Sequence, residues 1–175
     1  MSHNSLNKLL AEKEKLYARI CEIDNEIEQI KVQKNLSNKC GNNLVLMFDG
    51  GSRGNPGICG AGFVIYKNDK ILTKNSRIVS YNNTNNFAEY MGIINGLEYA
   101  IAYGYKNLVI KGDSQLIIKQ LLGEYKCRND NLITLYNKAR TLLSQLHSYE
   151  LLHIPRKENK MADSLANLAM DSHQS

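Results

Sequence analysis

The sequence predicts a mixed α/β fold in which a five-stranded sheet is flanked by helices, with a separate helix in front of it. Three observations predict this arrangement. Apolar and β-branched runs with turn signals between them precede the first helix of the main domain, which indicates an antiparallel meander. Strands and amphipathic helices then alternate, which favours a mixed sheet covered by helices. The first 34 residues carry a heptad pattern instead.

The N-terminal heptad segment, residues 1–34, is predicted to be one helix. Its apolar seam advances in alternating steps of three and four residues, and the segment contains no Gly or Pro. The seam residues are Leu6, Leu9, Leu16, Ile20, Ile23, Ile27 and Ile30. Lys13 occupies the one seam position that is not apolar, and it weakens a tight homodimer. The helix can pack on its own domain, pair with a second copy or bind a partner protein, so we interpret it as an oligomerisation or docking helix.

A polar linker is predicted to separate this helix from the main domain. Residues 35–43 are polar and carry Gly41, which is typical of a connecting segment. The main domain is predicted to span residues 44–171, and residues 172–175 form a short tail.

The main domain is predicted to begin with three strands. The apolar run at 44–48 is a short buried strand that ends at Asp49. The segment DGGSRGNPG that follows is a glycine-rich turn, whose glycines are expected to allow positive φ angles and close backbone approach. Residues 62–66 form the second strand and residues 71–79 the third, with a short polar turn between them.

Helices and strands alternate in the rest of the domain. Thr84 and Asn85 are good caps for a helix over residues 87–103, which Gly104 terminates. The remaining predicted elements are a strand at 107–112 that ends at Asp113, a short helix at 115–122 capped by Ser114, a helix at 131–146, a strand at 150–154 and a helix at 159–170.

Four acidic residues lie where predicted strands end or helices begin. Asp49 and Asp113 follow two strands, while Glu89 and Asp163 occupy early turns of two helices. Side chains in such positions can converge at one edge of a sheet. Each acid taken alone is also compatible with a turn, a helix cap or a solvent-facing position.

Four converging carboxylates would repel one another strongly unless a cation neutralises them. Hard oxygen ligands favour Mg²⁺, with Mn²⁺ as the alternative. Two ions about 3.5 to 4 Å apart would activate a water and stabilise the leaving oxygen during in-line attack on a phosphodiester. The pattern therefore predicts a metal-dependent nuclease with two ions per site.

The main domain resembles ribonuclease H of type 1, in particular the compact variety of that family. The resemblance rests on the motif DGGSRGNPG at 49–57 and the motif RKENKMADSLAN at 156–167. It implies the ribonuclease H fold and hydrolysis of the RNA strand of RNA/DNA hybrids. It also implies that the family's catalytic, metal-binding carboxylates correspond to Asp49, Glu89, Asp113 and Asp163.

The same resemblance implies a set of contacts to the hybrid. Asn55, Asn85 and Asn86 match positions that bind 2′-hydroxyls of the RNA strand, and Thr84 matches a position that binds a phosphate of the DNA strand. An Asn amide suits a 2′-hydroxyl because it both donates and accepts hydrogen bonds. Ordinary loop and cap roles for these four residues stay open.

Two features of some relatives are missing from the sequence. Many bacterial relatives carry a mobile loop histidine about ten residues before the last catalytic aspartate, but His153 falls in a predicted strand and Arg156 lies nearer that place. Which of these two residues assists turnover stays open. A Trp-rich basic protrusion that grips the hybrid is also absent, because the chain has no Trp. The short basic link around Tyr125 is a partial substitute or a solvated loop.

Charge and cysteine content agree with an intracellular nucleic-acid enzyme. The net charge is +5, and neutralising the four acids with metal would leave a basic surface that suits a polyanion. The four cysteines are too widely spaced for paired zinc ligands, and no signal peptide precedes them, which predicts a reducing compartment, either cytoplasm or nucleus. No apolar run is long enough for a membrane span.

Two other functions are compatible with the same fold. One is a catalytically silent nucleic-acid-binding or scaffold module that uses the heptad helix for assembly, and the intact set of four acids argues against it. The other is a nuclease that acts on double-stranded RNA or on DNA junctions, and the asparagines favour the hybrid instead.

Overall fold

The computed structural model describes residues 12–13, 15–20, 22–29 and 44–172. Contacts divide the chain into two compact units, residues 1–42 and residues 43–175. The described residues of the first unit are helical and exposed. The rest of the predicted heptad helix, the predicted linker and residues 173–175 lie outside the described residues. Within the described part of the chain, the helices lack the combination of length and apolarity that crossing a bilayer requires.

The second unit contains the five-stranded mixed sheet that the sequence predicts. The strands are β1 (Leu44–Gly54), β2 (Gly57–Lys67), β3 (Lys70–Asn83), β4 (Asn107–Gly112) and β5 (Ser148–His153). Their spatial order is β3-β2-β1-β4-β5. The first three strands form the predicted antiparallel meander, and β1, β4 and β5 run parallel to one another. Short hairpin turns join the antiparallel strands, whereas helical crossovers join the parallel ones.

Four helices and one short 3₁₀ turn complete this unit. They are α1 (Asn85–Ala102), α2 (Gln115–Leu121), α3 (Asp130–Leu143), the 3₁₀ turn (Arg156–Glu158) and α4 (Lys160–Asp171). Thr84 caps α1 as predicted, because its hydroxyl accepts a hydrogen bond from the Phe87 N–H. Gly104 adopts a φ of 75° just beyond the C-terminus of α1, in its predicted place. Ser114 stands at the N-cap of α2, but its side chain makes no capping hydrogen bond.

Two adjacent glycines show that helices cover both faces of the sheet. Successive strand residues point to opposite faces. A Cβ added at Gly50 would lie 2.1 Å from the backbone of Ala88 in α1, while one added at Gly51 would meet the side chain of Met170 in α4. The main apolar core lies on the α1 side of the sheet, where Phe48, Tyr90 and Ile110 are completely buried.

The first strand is longer than the sequence predicts. It continues through Asp49 to Gly54, and each of its residues pairs with β2, so the turn itself contains only Asn55 and Pro56. The prediction that this glycine-rich segment is a turn with several positive φ angles is therefore wrong, since Gly54 alone of its four glycines has one, 94°. Gly50 is required because α1 packs directly against the backbone of β1.

Candidate active site

Three of the predicted acids meet in one place. One ligand oxygen from each of Asp49, Glu89 and Asp113 lies within 4.8 Å of the other two. Asp49 is in the centre of β1, and Asp113 directly follows β4. The two strands are parallel neighbours, with Met47 paired to Lys111, so the same register places Asp49 and Asp113 side by side.

Helix α1 supplies the third carboxylate of this cluster. Glu89 lies in the second turn of α1, next to Ala88, the residue that packs on Gly50. One turn further along, a Cβ added at Gly92 would lie 2.5 Å from the carbonyl oxygen of Asp49. Small residues on both partners thus allow α1 to approach β1 closely, and this contact carries Glu89 to the other two acids.

Asp163 lies in the same cleft but is held somewhat apart from the three clustered acids. It occupies the first turn of α4, which packs over Gly62, the residue paired with Asp49 across the hairpin. Its carboxylate accepts hydrogen bonds from Arg156 Nη2 at 2.5 Å and from Asn167 Nδ2 at 3.3 Å. The cleft has a volume of about 90 Å³. Its lining residues are Asp49, Gly50, Gly51, Asn85, Glu89, Asp113, Arg156, Asp163, Ala166 and Asn167.

Burial and mutual repulsion favour the protonated forms of two of these acids. Burial raises the pKa of Asp49 to about 8, with further contributions from the charges of Asp113 and Asp163. Burial also raises the pKa of Glu89 well above its usual value, and the charge of Asp49 adds to the effect. Arg156 acts in the opposite direction and lowers the pKa of Glu89. A divalent cation would reverse these shifts, because it stabilises the ionised forms.

The donor set fits a hard divalent cation. The Oε2 atom of Glu89 is buried and has no hydrogen-bond partner among the described residues. A buried acceptor left without a partner is costly, and a cation beside it would remove that cost. Three carboxylates with oxygens this close offer the ligands that Mg²⁺ and Mn²⁺ prefer.

Asn159 orients this cluster, and the sequence analysis missed it. Its side chain is completely buried, and its Nδ2 donates to the carbonyl oxygen of Phe48 and to Oδ1 of Asp113, both at 2.8 Å. The side chain therefore ties the backbone beside Asp49 to the carboxylate of Asp113. Asn159 stands at the N-cap of α4 but makes no side-chain capping bond there. Its position four residues before Asp163 is the signal that could have marked it.

The predicted hybrid-binding residues lie around the hairpin turn and the start of α1. Oδ1 of Asn85 accepts from the Ser52 N–H, and Oδ1 of Asn55 accepts from the Asn85 N–H, each at 3.2 Å. Within the described residues, neither Nδ2 group makes a hydrogen bond, so both can donate to a ligand. Asn85 lines the cleft, whereas Asn55, Asn86 and Thr84 lie outside its lining.

His153 and Arg156 take different places. His153 is the last residue of β5, and its Nε2 lies 3.2 Å from the backbone oxygen of Asp113. Its position in a strand agrees with the sequence prediction. Arg156 begins the 3₁₀ turn, lines the cleft and binds Asp163.

The sequence and the fold of this chain are similar to those of several known proteins. The reverse transcriptase-like family profile matches residues 47–169. Ribonuclease HI of Halobacterium salinarum is 39% identical over 124 residues, which is 71% of this chain and 62% of that protein. A bifunctional protein of Mycobacterium tuberculosis is 39% identical over 131 residues, which is 74% of this chain and 36% of that protein. The matched segment thus spans less than two thirds of either relative.

Solved structures give the same grouping. The crystal structure of ribonuclease H1 from Halobacterium salinarum shares 37% identity with a TM-score of 0.71, over 74% of this chain and 98% of that one. The LC11 ribonuclease H1, solved in complex with an RNA/DNA hybrid, shares 33% identity with a TM-score of 0.71, over 76% of this chain and all of that one.

Replacing Asn159 with Ala should destabilise the fold by about 2 to 4 kcal/mol, because a buried carbonyl oxygen and a half-buried carboxylate each lose a hydrogen bond. Urea denaturation of the wild type and the variant measures this change. Asn167→Ala is the matched control, since Asn167 also donates to a cleft carboxylate but is only partly buried. Equal, small losses for the two variants would mean that Asn159 does not tie the strands together.

The free energy of unfolding of the metal-free protein should fall as pH rises from about 4 to about 8. The folded protein keeps a proton on Asp49 up to about pH 8, whereas the unfolded chain loses it near 3.8. The folded state therefore binds more protons in this window, and the stability present below it is lost as pH increases. Thermal melts in chelator at several pH values test this. Asp49→Asn should make the free energy of unfolding depend less on pH. It should also raise that free energy by at least about 1 kcal/mol at pH 8, since one pKa unit corresponds to about 1.4 kcal/mol. An equal pH dependence of the free energy of unfolding in both proteins would contradict the raised pKa of Asp49.

Proposed function

The chain belongs to the ribonuclease H type 1 family, and on that premise we propose that it is an endoribonuclease that hydrolyses the RNA strand of RNA/DNA hybrids. The observation that carries this proposal is the meeting of Asp49, Glu89 and Asp113 within 4.8 Å, with Asp163 on the wall of the same cleft. Ion pairs that only stabilise a fold join an acid to a basic residue, and they do not require three acids at such a spacing. The LC11 ribonuclease H1 bound to an RNA/DNA hybrid gives the proposal its substrate class.

The carboxylates of Asp49, Glu89, Asp113 and Asp163 would hold Mg²⁺, or Mn²⁺, with two ions per site. When bound, such ions lower the pKa of a coordinated water and stabilise charge on the leaving oxygen of a phosphodiester. The protein's part is to keep the ligands in place before the substrate arrives. The close packing of α1 on β1 and the hydrogen bond from Asn159 to Asp113 do this.

Polar groups at the hairpin turn would select the RNA strand. The Nδ2 groups of Asn85 and Asn55 are available as donors, while their Oδ1 atoms are fixed by backbone N–H groups. Only RNA has 2′-hydroxyls to receive such bonds. The Thr84 hydroxyl uses its oxygen to cap α1, so its proton remains available for a phosphate of the DNA strand. Capping and substrate binding are therefore compatible in one residue.

Arg156, rather than His153, would assist turnover. Its guanidinium lines the cleft and binds Asp163, whereas His153 interacts with the backbone of Asp113 from the end of β5. A cation at this position reduces the repulsion between Asp163 and the other acids. It can also attract the phosphate of an incoming substrate, and Arg is well suited to that task because its donors match phosphate oxygens.

Asp49→Asn and Asp113→Asn should each lower cleavage of a labelled RNA/DNA hybrid in Mg²⁺ by more than about a hundredfold. Even partners outside the ligand shell of a metal cost roughly 10- to 100-fold, and these residues would be ligands themselves. Asp130→Asn, which changes an exposed acid in the first turn of α3, is the matched control and should cleave normally. RNA/RNA and DNA/DNA duplexes should remain intact in the same assay.

Two outcomes of this assay would reject the proposal. Substantial Mg²⁺-dependent cleavage by either Asn variant would remove the site assignment. A wild-type chain that binds the hybrid without cutting it would instead be a silent binding module.

Asn85→Ala should weaken binding of the hybrid relative to a DNA/DNA duplex by roughly 0.5 to 1.5 kcal/mol, the worth of one hydrogen bond. Asn86→Ala tests the neighbouring position in the same way. Competition binding of both duplexes in Ca²⁺ separates affinity from cleavage, since Ca²⁺ coordinates loosely and should support little turnover. Asn82→Ala, at the exposed end of β3, is the control. An unchanged ratio in the Asn85 and Asn86 variants would leave these residues with structural roles alone.

A further inference from the structure

The helical residues of the first unit carry an apolar stripe on their surface. Leu16, Ile20, Ile23 and Ile27 follow heptad spacing, and they are between 41% and 62% exposed. Tyr17 beside them is 59% exposed. Within the part of the chain that the structure describes, this stripe is therefore not covered. A helix with a row of large aliphatic side chains is stabilised when a second helix buries that row.

The charges beside the stripe indicate which surface would cover it. Arg19 directly precedes the stripe residue Ile20, and Asp24 directly follows Ile23. In a parallel, in-register pair of helices, a residue at the position of Arg19, directly before Ile20, faces the residue five places further along the other helix. Arg19 of each copy would then face Asp24 of the other copy, with opposite charge. The sequence repeats this arrangement seven residues later, with Glu26 and Lys31.

Antiparallel pairing over the same seam has the opposite electrostatics. It would align Arg19 with Arg19 of the other copy and Glu12 with Glu26, so like charges would meet at both places. Within one helix, Arg19 and Asp24 are five residues apart and do not face each other, and Arg19 instead bonds Glu22 at 2.8 Å. The Arg19 and Asp24 charges are therefore matched for a neighbouring parallel helix.

Lys13 agrees with the same arrangement. It takes the seam position one heptad before Ile20, where a single lysine specifies the oligomer at some cost in stability. The isoleucines at 20, 23 and 27 by themselves favour three or four helices, and Lys13 favours two because its ammonium is less buried between two helices than in a larger bundle. Its Nζ lies 5.6 Å from the centroid of the Tyr17 ring, beside the seam. The ring face stabilises the ammonium at this exposed position.

We propose that this helix forms a parallel, in-register, two-stranded coiled coil with the same helix of a second copy of the chain. The partner is a second copy because every flanking charge that the pairing needs is present in the helix itself. The interaction surface is the Leu16 to Ile27 stripe, and the Arg19–Asp24 pair fixes its direction and register.

Charge reversal in separate full-length chains tests this proposal. Arg19→Glu alone and Asp24→Lys alone each place like charges opposite each other twice in a parallel dimer, so each should weaken self-association about tenfold. An equimolar mixture of the two variants should form a heterodimer as tight as the wild-type dimer, since all its facing charges are opposite again. Analytical ultracentrifugation over a range of concentrations measures the three association constants. Lys15→Glu, an equal charge change away from the seam, should associate like the wild type.

The mixture is decisive because intrahelical effects of each substitution are the same in its homodimer and in the heterodimer. A wild-type chain that stays monomeric throughout the concentration range would overturn the proposal and indicate that another surface covers the stripe. Variants that associate like the wild type, or a mixture no tighter than its components, would rule out the parallel in-register pairing. A wild-type trimer or tetramer would likewise contradict it.

Discussion

Mutual repulsion among buried carboxylates is the constraint on which the rest of the domain depends. Asp49 and Glu89 are each only 6% exposed, and both lie within a few ångströms of Asp113. Such a cluster tends to separate or to take up protons unless the surrounding structure holds it together. The domain accepts this cost at one place, which is typical of a functional site.

Backbone packing, rather than side-chain ion pairing, holds the acids together. The parallel register of β1 and β4 sets Asp49 beside Asp113, and the glycine contacts between α1 and β1 set Glu89 against both. Asn159, at the N-cap of α4, donates hydrogen bonds to Phe48 in the middle of β1 and to Asp113 just after β4, and Arg156 neutralises Asp163. A site built on strands and helices has little freedom to relax, so a cation that entered it would meet ligands already in position. This is the physical link between the fold and the proposed hydrolysis.

Much of this arrangement could be predicted from the sequence, because periodicity and caps are local signals. The five strands, the cap at Thr84, the position of Asp113 after β4 and that of Asp163 in the first turn of α4 all follow from short segments. The extension of β1 through its glycines could not be predicted, since glycine has low strand propensity and only pairing with β2 keeps the segment extended. The role of Asn159 depends on Phe48, which is 111 residues away in sequence. Contacts of that kind are properties of the assembled fold.

A divalent cation is expected to replace protons on the buried carboxylates. Titration calorimetry with Mg²⁺ or Mn²⁺ at pH 7, in buffers with different ionisation enthalpies, counts the protons released on binding. Because the pKa of Asp49 is about 8 and that of Glu89 is also raised, binding should release protons at pH 7 and fewer protons as pH increases above 8. Binding without proton release at pH 7, or no binding at all, would contradict the replacement of protons by the cation.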